Sequence, residues 1–459
     1  MASSLKDFSP DKIRDDFIPN DSYIDPDFAR LEEERLWPKV WQLACRLEEI
    51  PNVGDYCTYD IVDDSIIVVH AEKDVIKAFH NACSHRGLPL TQGCGRAERF
   101  HCRFHGWKYS LKGECIEIVD SKDWNGCLKS KDVDLREVNV ATWGGAVFIN
   151  MDPECQPFEE FLRPVDDFMG KFEFDKLRYR WYKTVIMPVN WKRVLEAFNE
   201  FYHVQQAHAQ LLAFTDDYST SRGFGRHGNV RFAAEGTVPF KRSPRLPPKE
   251  VPDYRDYILD FVEQYNRDLQ AIVTPRMHRA TQRLRTEVEA TAEPAEVLAK
   301  WMQFLGEAAA EDGVEFPSEL TPEYIEASGF DWHVFPNTIF LHSVDGVLWY
   351  RARPNGQDPN SCIFDVWALE RYAPGKEPPL KREFYANWRE GEWPLIYKQD
   401  FVNLDQLQRG MKSRGFPGQL VSPLQERTIS NFHRALRRFM QDPHDHPDPA
   451  QEAMSSAPE

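Results

Sequence analysis

Two short stretches of this chain carry thiols and imidazoles at metal-binding spacing. One reads NACSHRGLPL and the other FHCRFHGWKYS, which sets out Cys83-x-His85, sixteen intervening residues, then Cys102-x-x-His105. Two soft thiolates and two imidazoles form a transition-metal ligand set. A tetrahedral zinc ion uses the same residue types, but zinc ribbons favour Cys-x-x-Cys pairs. Here each pair is mixed, with Cys first both times. That pattern favours a 2Fe–2S cluster whose thiolates hold one iron and whose imidazoles hold the other; neutral ligands in place of two thiolates raise its potential. Gly87 and Gly106 follow the pairs closely and permit tight loops with amides near the sulfurs. His80 and His101 flank these loops and read as packing or surface residues.

A second group lies in NWKRVLEAFNEFYHVQQAHAQ, where His203 and His208 stand five apart and Glu200 precedes the first by three. Five residues on a straight α-helix turn through about 140°, so the two imidazoles would not share a face. Binding one metal requires the backbone to deviate between them, by a π-bulge or by the helix ending near Val204 to Ala207. Two His and one carboxylate form the facial triad of non-haem Fe(II) oxygenases, which leaves positions open for O2 and substrate.

Taken together, CSHRG and CRFHGW resemble the Rieske signature of the large (alpha) subunit of bacterial aromatic ring-hydroxylating oxygenases. Many relatives have Pro where Arg103 stands, a departure that touches no ligand. The resemblance implies an α+β chain: an N-terminal antiparallel-β Rieske domain, and a C-terminal helix-grip-like catalytic domain with an antiparallel sheet. It implies a 2Fe–2S cluster on Cys83, His85, Cys102 and His105, and one mononuclear Fe(II) on His203, His208 and Asp400. Asp400 is chosen over its rival Asp405 because YKQDFVNLDQLQRG is similar to the family's late helix. Glu200 stands where relatives usually have an Asp that bridges the two centres across a subunit boundary. Quaternary-amine oxygenases such as carnitine monooxygenase share the Glu. The implied relay is His105 or His85, then Glu200, then His203 of a neighbour, in a homotrimer (alpha3, or alpha3beta3 with a small beta subunit).

The implied activity is O2-dependent oxygenation of a hydrophobic, aromatic organic substrate: ring hydroxylation, monooxygenation or oxidative N- or O-demethylation. Quaternary-amine monooxygenation is the alternative, and a 2Fe–2S electron carrier without oxygenase activity is the alternative of another class. No GxGxxG fingerprint with its acidic partner is present; GFGRHG at 223–228 is too weak a match. Reducing equivalents from NAD(P)H are therefore expected through a separate flavin reductase, a ferredoxin, or both. Phe198, Phe201, Leu211, Phe214 and Phe340 are candidate pocket residues.

The elements that must position these groups follow from texture. Residues 1–40 read as a polar lead-in with a helix over Asp27–Leu36, and 41–165 as short strands punctuated by turn residues, a small antiparallel β domain. The catalytic part is expected over 166–442. It opens with a strand around RYRWYKTVIMPV and a long helix from Trp191 to Leu212. Residues 241–328 read as a helical insertion with Pro-rich pieces; strands then return, followed by helices over Pro394–Met411 and Leu424–Met440. The Pro-rich polar tail 443–459 is expected to be disordered.

At 459 residues, two or three domains are expected. A formal net charge of −17 argues against nucleic acid and anionic membrane surfaces as partners. The start, MASSLKDFSPDKIRDDF, lacks the apolar core of a secretory signal, and a soluble, cytoplasmic protein is expected. Nine cysteines, eight before residue 160, suit a reducing compartment and mark the N-terminal part as the seat of sulfur chemistry.

Overall fold

The computed structural model describes residues 8–232, 240–247 and 253–441. The tail expected to be disordered lies outside them. The chain divides into two compact units. The smaller comprises residues 30–161 and 355–357; the larger comprises 1–29, 162–354 and 358–459.

The smaller unit is built on a seven-stranded sheet. Its order is Gln42–Arg46, Ala146–Asn150, Glu137–Trp143, Val75–His80, Asp64–Glu72, Asp55–Ile61 and Cys94–Arg96, every pair antiparallel. The run Ile66-Ile67-Val68-Val69 is completely buried, which suits β-branched residues on a strand covered from both sides. Gly144 and Gly145 both take positive φ and close the hairpin into Ala146–Asn150, the residue pair a tight two-residue hairpin turn needs. A small three-stranded sheet (Phe100–His101, Lys108–Tyr109, Cys115–Glu117) carries the second Cys/His pair.

The larger unit holds an eight-stranded sheet in the order Ser219–Phe224, His227–Phe232, Asp331–Val334, Thr338–His342, Gly346–Asn355, Asp358–Arg371, Leu177–Met187, Arg382–Tyr385. The expected antiparallel pattern holds from Ser219–Phe224 to Gly346–Asn355, and again between Asp358–Arg371 and Leu177–Met187. The edge strand Arg382–Tyr385 departs from it and runs parallel to Leu177–Met187. Between two adjacent strands, His227–Phe232 and Asp331–Val334, stand four helices: Tyr254–Asp268, Pro275–Glu287, Pro294–Glu311 and Pro322–Ser328. Three of them start with Pro at the first helical position, where its missing N–H costs nothing. Helix Pro294–Glu311 buries Val297, Trp301, Phe304, Leu305 and Ala308, one stripe at helical spacing. Phe17–Pro19 pairs with Gly418–Leu420, so the N-terminal segment is stitched into this unit.

The long helix expected from Trp191 to Leu212 does not form. The chain is helical over Trp191–Glu196, irregular over 197–203, helical for one turn over Val204–Ala207, and 3-10 over Ala209–Ala213. Asn190 caps the start by accepting the Lys192 N–H. The break has a local cause. Glu200 turns its carboxylate back onto the His203 N–H (3.1 Å), replacing a main-chain acceptor. The Asn199 carbonyl is met by the Thr428 hydroxyl (2.9 Å). His208, at φ −126° and ψ 44°, ends the second piece, the deviation that the five-residue spacing requires.

Candidate metal centres

In the smaller unit, the two ligand loops are copies of one hydrogen-bond pattern. The Cys83 N–H donates to the Leu88 carbonyl (3.0 Å), and the Gly87 N–H donates to the Cys83 carbonyl (2.8 Å). The Cys102 N–H donates to the Trp107 carbonyl (2.8 Å), and the Gly106 N–H to the Cys102 carbonyl (2.9 Å). Gly87 and Gly106 close these loops at φ +75° and +76°, where a side chain would be strained. The structure brings all four predicted residues together: Cys83 and Cys102 are buried side by side, and the His85 and His105 rings meet edge to face at 4.5 Å. Trp107 stacks flat on His85 (5.1 Å, 9°) and fixes its plane.

The Nδ1 atoms of both His85 and His105 are buried without a hydrogen-bond partner. Such orphans are rare, because an unmet buried polar atom costs about 1–3 kcal/mol. Two imidazole lone pairs beside two buried sulfurs fit a 2Fe–2S cluster. Burial, and then Cys102, push the Cys83 thiol up, so a thiolate here calls for cationic iron. The Tyr109 oxygen accepts the Ser84 N–H (3.1 Å), which leaves its proton for the Cys83 sulfur at 3.2 Å.

In the larger unit, ligand atoms of His203, His208 and Asp400 all lie within 4.8 Å of one another. Asp400 Oδ1 is 3.0 Å from His208 Nε2 and 3.7 Å from His203 Nε2. Asp400 is presented by helix Leu395–Met411 and is buried. Asp405, five residues on, turns to another face of that helix and ion-pairs with Arg389, so the rival carboxylate is not at the site.

Both imidazoles are gripped at their far nitrogens. Glu200 Oε1 sits 2.5 Å from His203 Nδ1, and Gln399 Oε1 sits 2.8 Å from His208 Nδ1. Acceptors there hold a proton on Nδ1 and turn both Nε2 atoms toward Asp400. The donor set therefore fits a divalent metal with open positions. Burial would lower the basicity of His203, but Glu200 and Asp400 outweigh it and lift it to about 9; metal binding must displace that proton. Burial would raise the Glu200 carboxyl, and His203 outweighs it and brings it down.

Sequence reasoning missed three supporting groups. Gln399 also takes the Gln210 amide N–H (2.9 Å), and its adjacency to Asp400 was the available signal. Glu196 is fully buried and accepts from Tyr23 (2.6 Å), His433 (2.6 Å), Arg193 (2.9 Å) and Gln419 (3.2 Å). Burial works against its charge, yet these partners bring its carboxyl down to about 2. Asp331 is buried with both carboxylate oxygens unpartnered; burial, and then the Glu200 charge, push its carboxyl up.

A cavity of about 300 Å³ lies between the helical insertion and the sheet, walled by Phe232, Phe261, Trp301, Leu305, Phe330 and His342 among others. None of the five expected pocket residues lines it. Phe198 is stacked on Tyr350 and Phe364 (4.4 and 5.4 Å), and Phe340 packs on Phe174 and Trp349. Leu211 and Phe214 are buried core residues. Phe201 stands behind the wall, against Phe232 (4.8 Å) and Phe330 (5.5 Å). Apolar residues near a ligand motif are as a rule packing, and these five are.

A cluster-type β unit and a carboxylate–bis-imidazole site on a helix-covered sheet define a Rieske-type non-haem iron protein. Residues 40–139 match the Rieske [2Fe–2S] domain, and residues 174–442, more than half of the chain, match the catalytic domain of the ring-hydroxylating alpha subunit. The chain belongs to that family. It is 31% identical to a glycine betaine monooxygenase oxygenase subunit of Chromohalobacter salexigens, over 47% of this chain and 49% of that protein. It is also 31% identical to a carnitine monooxygenase oxygenase subunit of Escherichia coli, over 46% and 57%. The chain thus spans about half the length of these curated relatives. The fold is shared with a quaternary ammonium Rieske monooxygenase bound to L-carnitine (TM-score 0.62, 16% identity, 96% of this chain and 100% of that one). It is shared too with naphthalene 1,2-dioxygenase from Rhodococcus sp. (TM-score 0.61, 19% identity, 94% and 95%).

Proposed function

We propose that this protein is a terminal oxygenase component that oxygenates a hydrophobic organic substrate with O2 and externally supplied electrons. The observation that carries the reading is the convergence of His203 Nε2, His208 Nε2 and Asp400, with Glu200 and Gln399 locking both rings. In this reading Cys83, His85, Cys102 and His105 hold the cluster, and His203, His208 and Asp400 hold the iron. When bound, the two groups supply one-electron delivery and O2 activation. The chain supplies ring orientation and a fixed carboxylate. Glu200 Oε1 accepts from His203 Nδ1, and its Oε2 accepts the His203 backbone N–H. We assign it as the bridge to His105 or His85 of a neighbouring subunit in a trimer. A ferredoxin or flavin reductase, and a beta subunit as in many relatives, complete the proposed system. No helix among the described residues is long and apolar enough to cross a membrane; a cytoplasmic location is part of the proposal.

An aromatic substrate is the main reading, supported by the match to the catalytic domain of the ring-hydroxylating alpha subunit. Quaternary-amine oxidation or N-demethylation is the second, supported by Glu200 and by the relatives named for betaine and carnitine. Formaldehyde release against dihydrodiol or phenol formation separates them. Iron content tests the class: about three irons per chain supports an oxygenase, whereas about two would leave an electron carrier. A monomer with full turnover would refute the trimer.

A further inference from the structure

Besides the two centres above, the smaller unit gathers sulfur and carboxylate at one further place. We propose that Cys57, Cys94 and Glu49, with Cys45 beside them, form a third metal site, built for a structural zinc ion. The ligand atoms of Glu49, Cys57 and Cys94 all lie within 4.8 Å of one another, and Cys57 Sγ is 3.9 Å from Glu49 Oε2. A tetrahedral zinc ion with Zn–S near 2.3 Å and Zn–O near 2.1 Å spaces its ligand atoms about 3.5–3.8 Å apart. The set already stands close to that spacing.

The backbone explains why. Cys57 on strand Asp55–Ile61 and Cys94 on strand Cys94–Arg96 are directly paired across the sheet, so both side chains leave the same face. Glu49 Oε1 is held by the Arg46 N–H (2.8 Å), which leaves Oε2 toward the Cys57 sulfur. An outer hydrogen bond that aims a ligand oxygen in this way is the usual support of a metal site. The Cys45 thiol, on strand Gln42–Arg46, abuts Cys57. Thiolates select zinc over magnesium or calcium. Binding displaces the thiol protons and changes no oxidation state.

The place in the chain gives the ion a role. Cys94 lies between the two cluster loops, on a three-residue edge strand. Zinc there would clip the segment joining the loops to the main sheet, and so hold the loops in register.

The test is zinc and iron content, by plasma mass spectrometry, of the full chain purified with its metals from zinc-supplied cells. About one zinc per chain is expected, falling about tenfold or more in Cys94→Ser and in Glu49→Gln with the iron content unchanged. His208→Ala should lose iron and keep zinc, which separates this site, and the fate of this proposal, from the mononuclear one. Sub-stoichiometric zinc that neither variant alters would overturn the site. So would a denaturing thiol titration that finds Cys57 and Cys94 joined as a disulfide.

Discussion

Gln399 supports the mononuclear site without touching the metal position, and replacing it with Leu isolates that support. In the structure its Oε1 takes two donors, His208 Nδ1–H at 2.8 Å and the Gln210 amide at 2.9 Å. Leu keeps the volume and the helical propensity but leaves a buried Nδ1–H unmet. His208 is almost wholly buried, so water does not replace the lost acceptor. Leaving a buried donor unsatisfied costs about 1–3 kcal/mol. Losing an outer partner of a ligating His weakens metal affinity about 10–100-fold, or roughly 1.4–2.7 kcal/mol. The two routes agree. Competition of Fe(II) between the protein and a chromophoric chelator should show that loss at the mononuclear site, with cluster absorbance unchanged. Gln399→Glu keeps an acceptor and should recover most of the affinity. Equal iron affinity in wild type and Gln399→Leu would refute the idea that this hydrogen bond sets the His208 tautomer.

Tyr109→Phe removes the proton offered to the Cys83 sulfur, and should lower the cluster's reduction potential in a spectroelectrochemical titration, because that hydrogen bond favours the more negative, reduced form. Glu196→Ala strips four donors of one buried acceptor and should destabilise the larger unit by about 3–5 kcal/mol in urea unfolding. Since the Glu196 carboxyl falls from 4.5 to about 2 on folding, its stabilisation is present above pH 4.5 and is lost as pH drops through about 2. Glu426 goes the other way. Burial and the nearby charges of Glu200 and Glu196 lift it from 4.5 to about 7, so the protein gives up stability as pH rises from 4.5 through 7. Glu426→Gln should therefore gain up to about 3 kcal/mol at pH 8 and nothing at pH 4, read from unfolding midpoints across that range.

The proposed ligands were legible because each pair is short-range: Cys83 with His85, Cys102 with His105, and His203 with His208 sit within five residues of each other. Asp400 was reached by resemblance of its helix, since nothing in composition ties residue 400 to residue 203. The supports were not legible. Gln399 meets His208 across 191 residues and Tyr23 meets Glu196 across 173, and pattern has no reach over such gaps. The insertion was visible in its Pro-rich and amphipathic helical pieces, and three of its helices start at Thr-Pro or Glu-Pro pairs. The deviation between the two His was deduced from their spacing and placed near Val204 to Ala207, where the second helical piece ends; the earlier break over 197–203 was not foreseen. Asn199 and Glu200 carry no strong breaking signal, and the Glu200 side chain acts only once it folds back on His203.

The two centres use opposite nitrogens of the same side chain, and the surroundings decide which. Around His203 and His208, a carboxylate and an amide oxygen occupy Nδ1, so Nε2 is the donor atom. Around His85 and His105 no acceptor reaches Nδ1, which stays buried and bare, while Trp107 fixes the His85 ring by stacking alone. A ring held by a hydrogen bond has its tautomer set before metal arrives; a ring held by stacking does not, and only the metal can set it. Loading should differ accordingly. The mononuclear site pays its ordering cost in folding, whereas the cluster site leaves two unmet Nδ1 atoms until the iron is in place. An outer-partner variant such as Gln399→Leu is thus expected to convert a preset imidazole into one that the metal itself must organise.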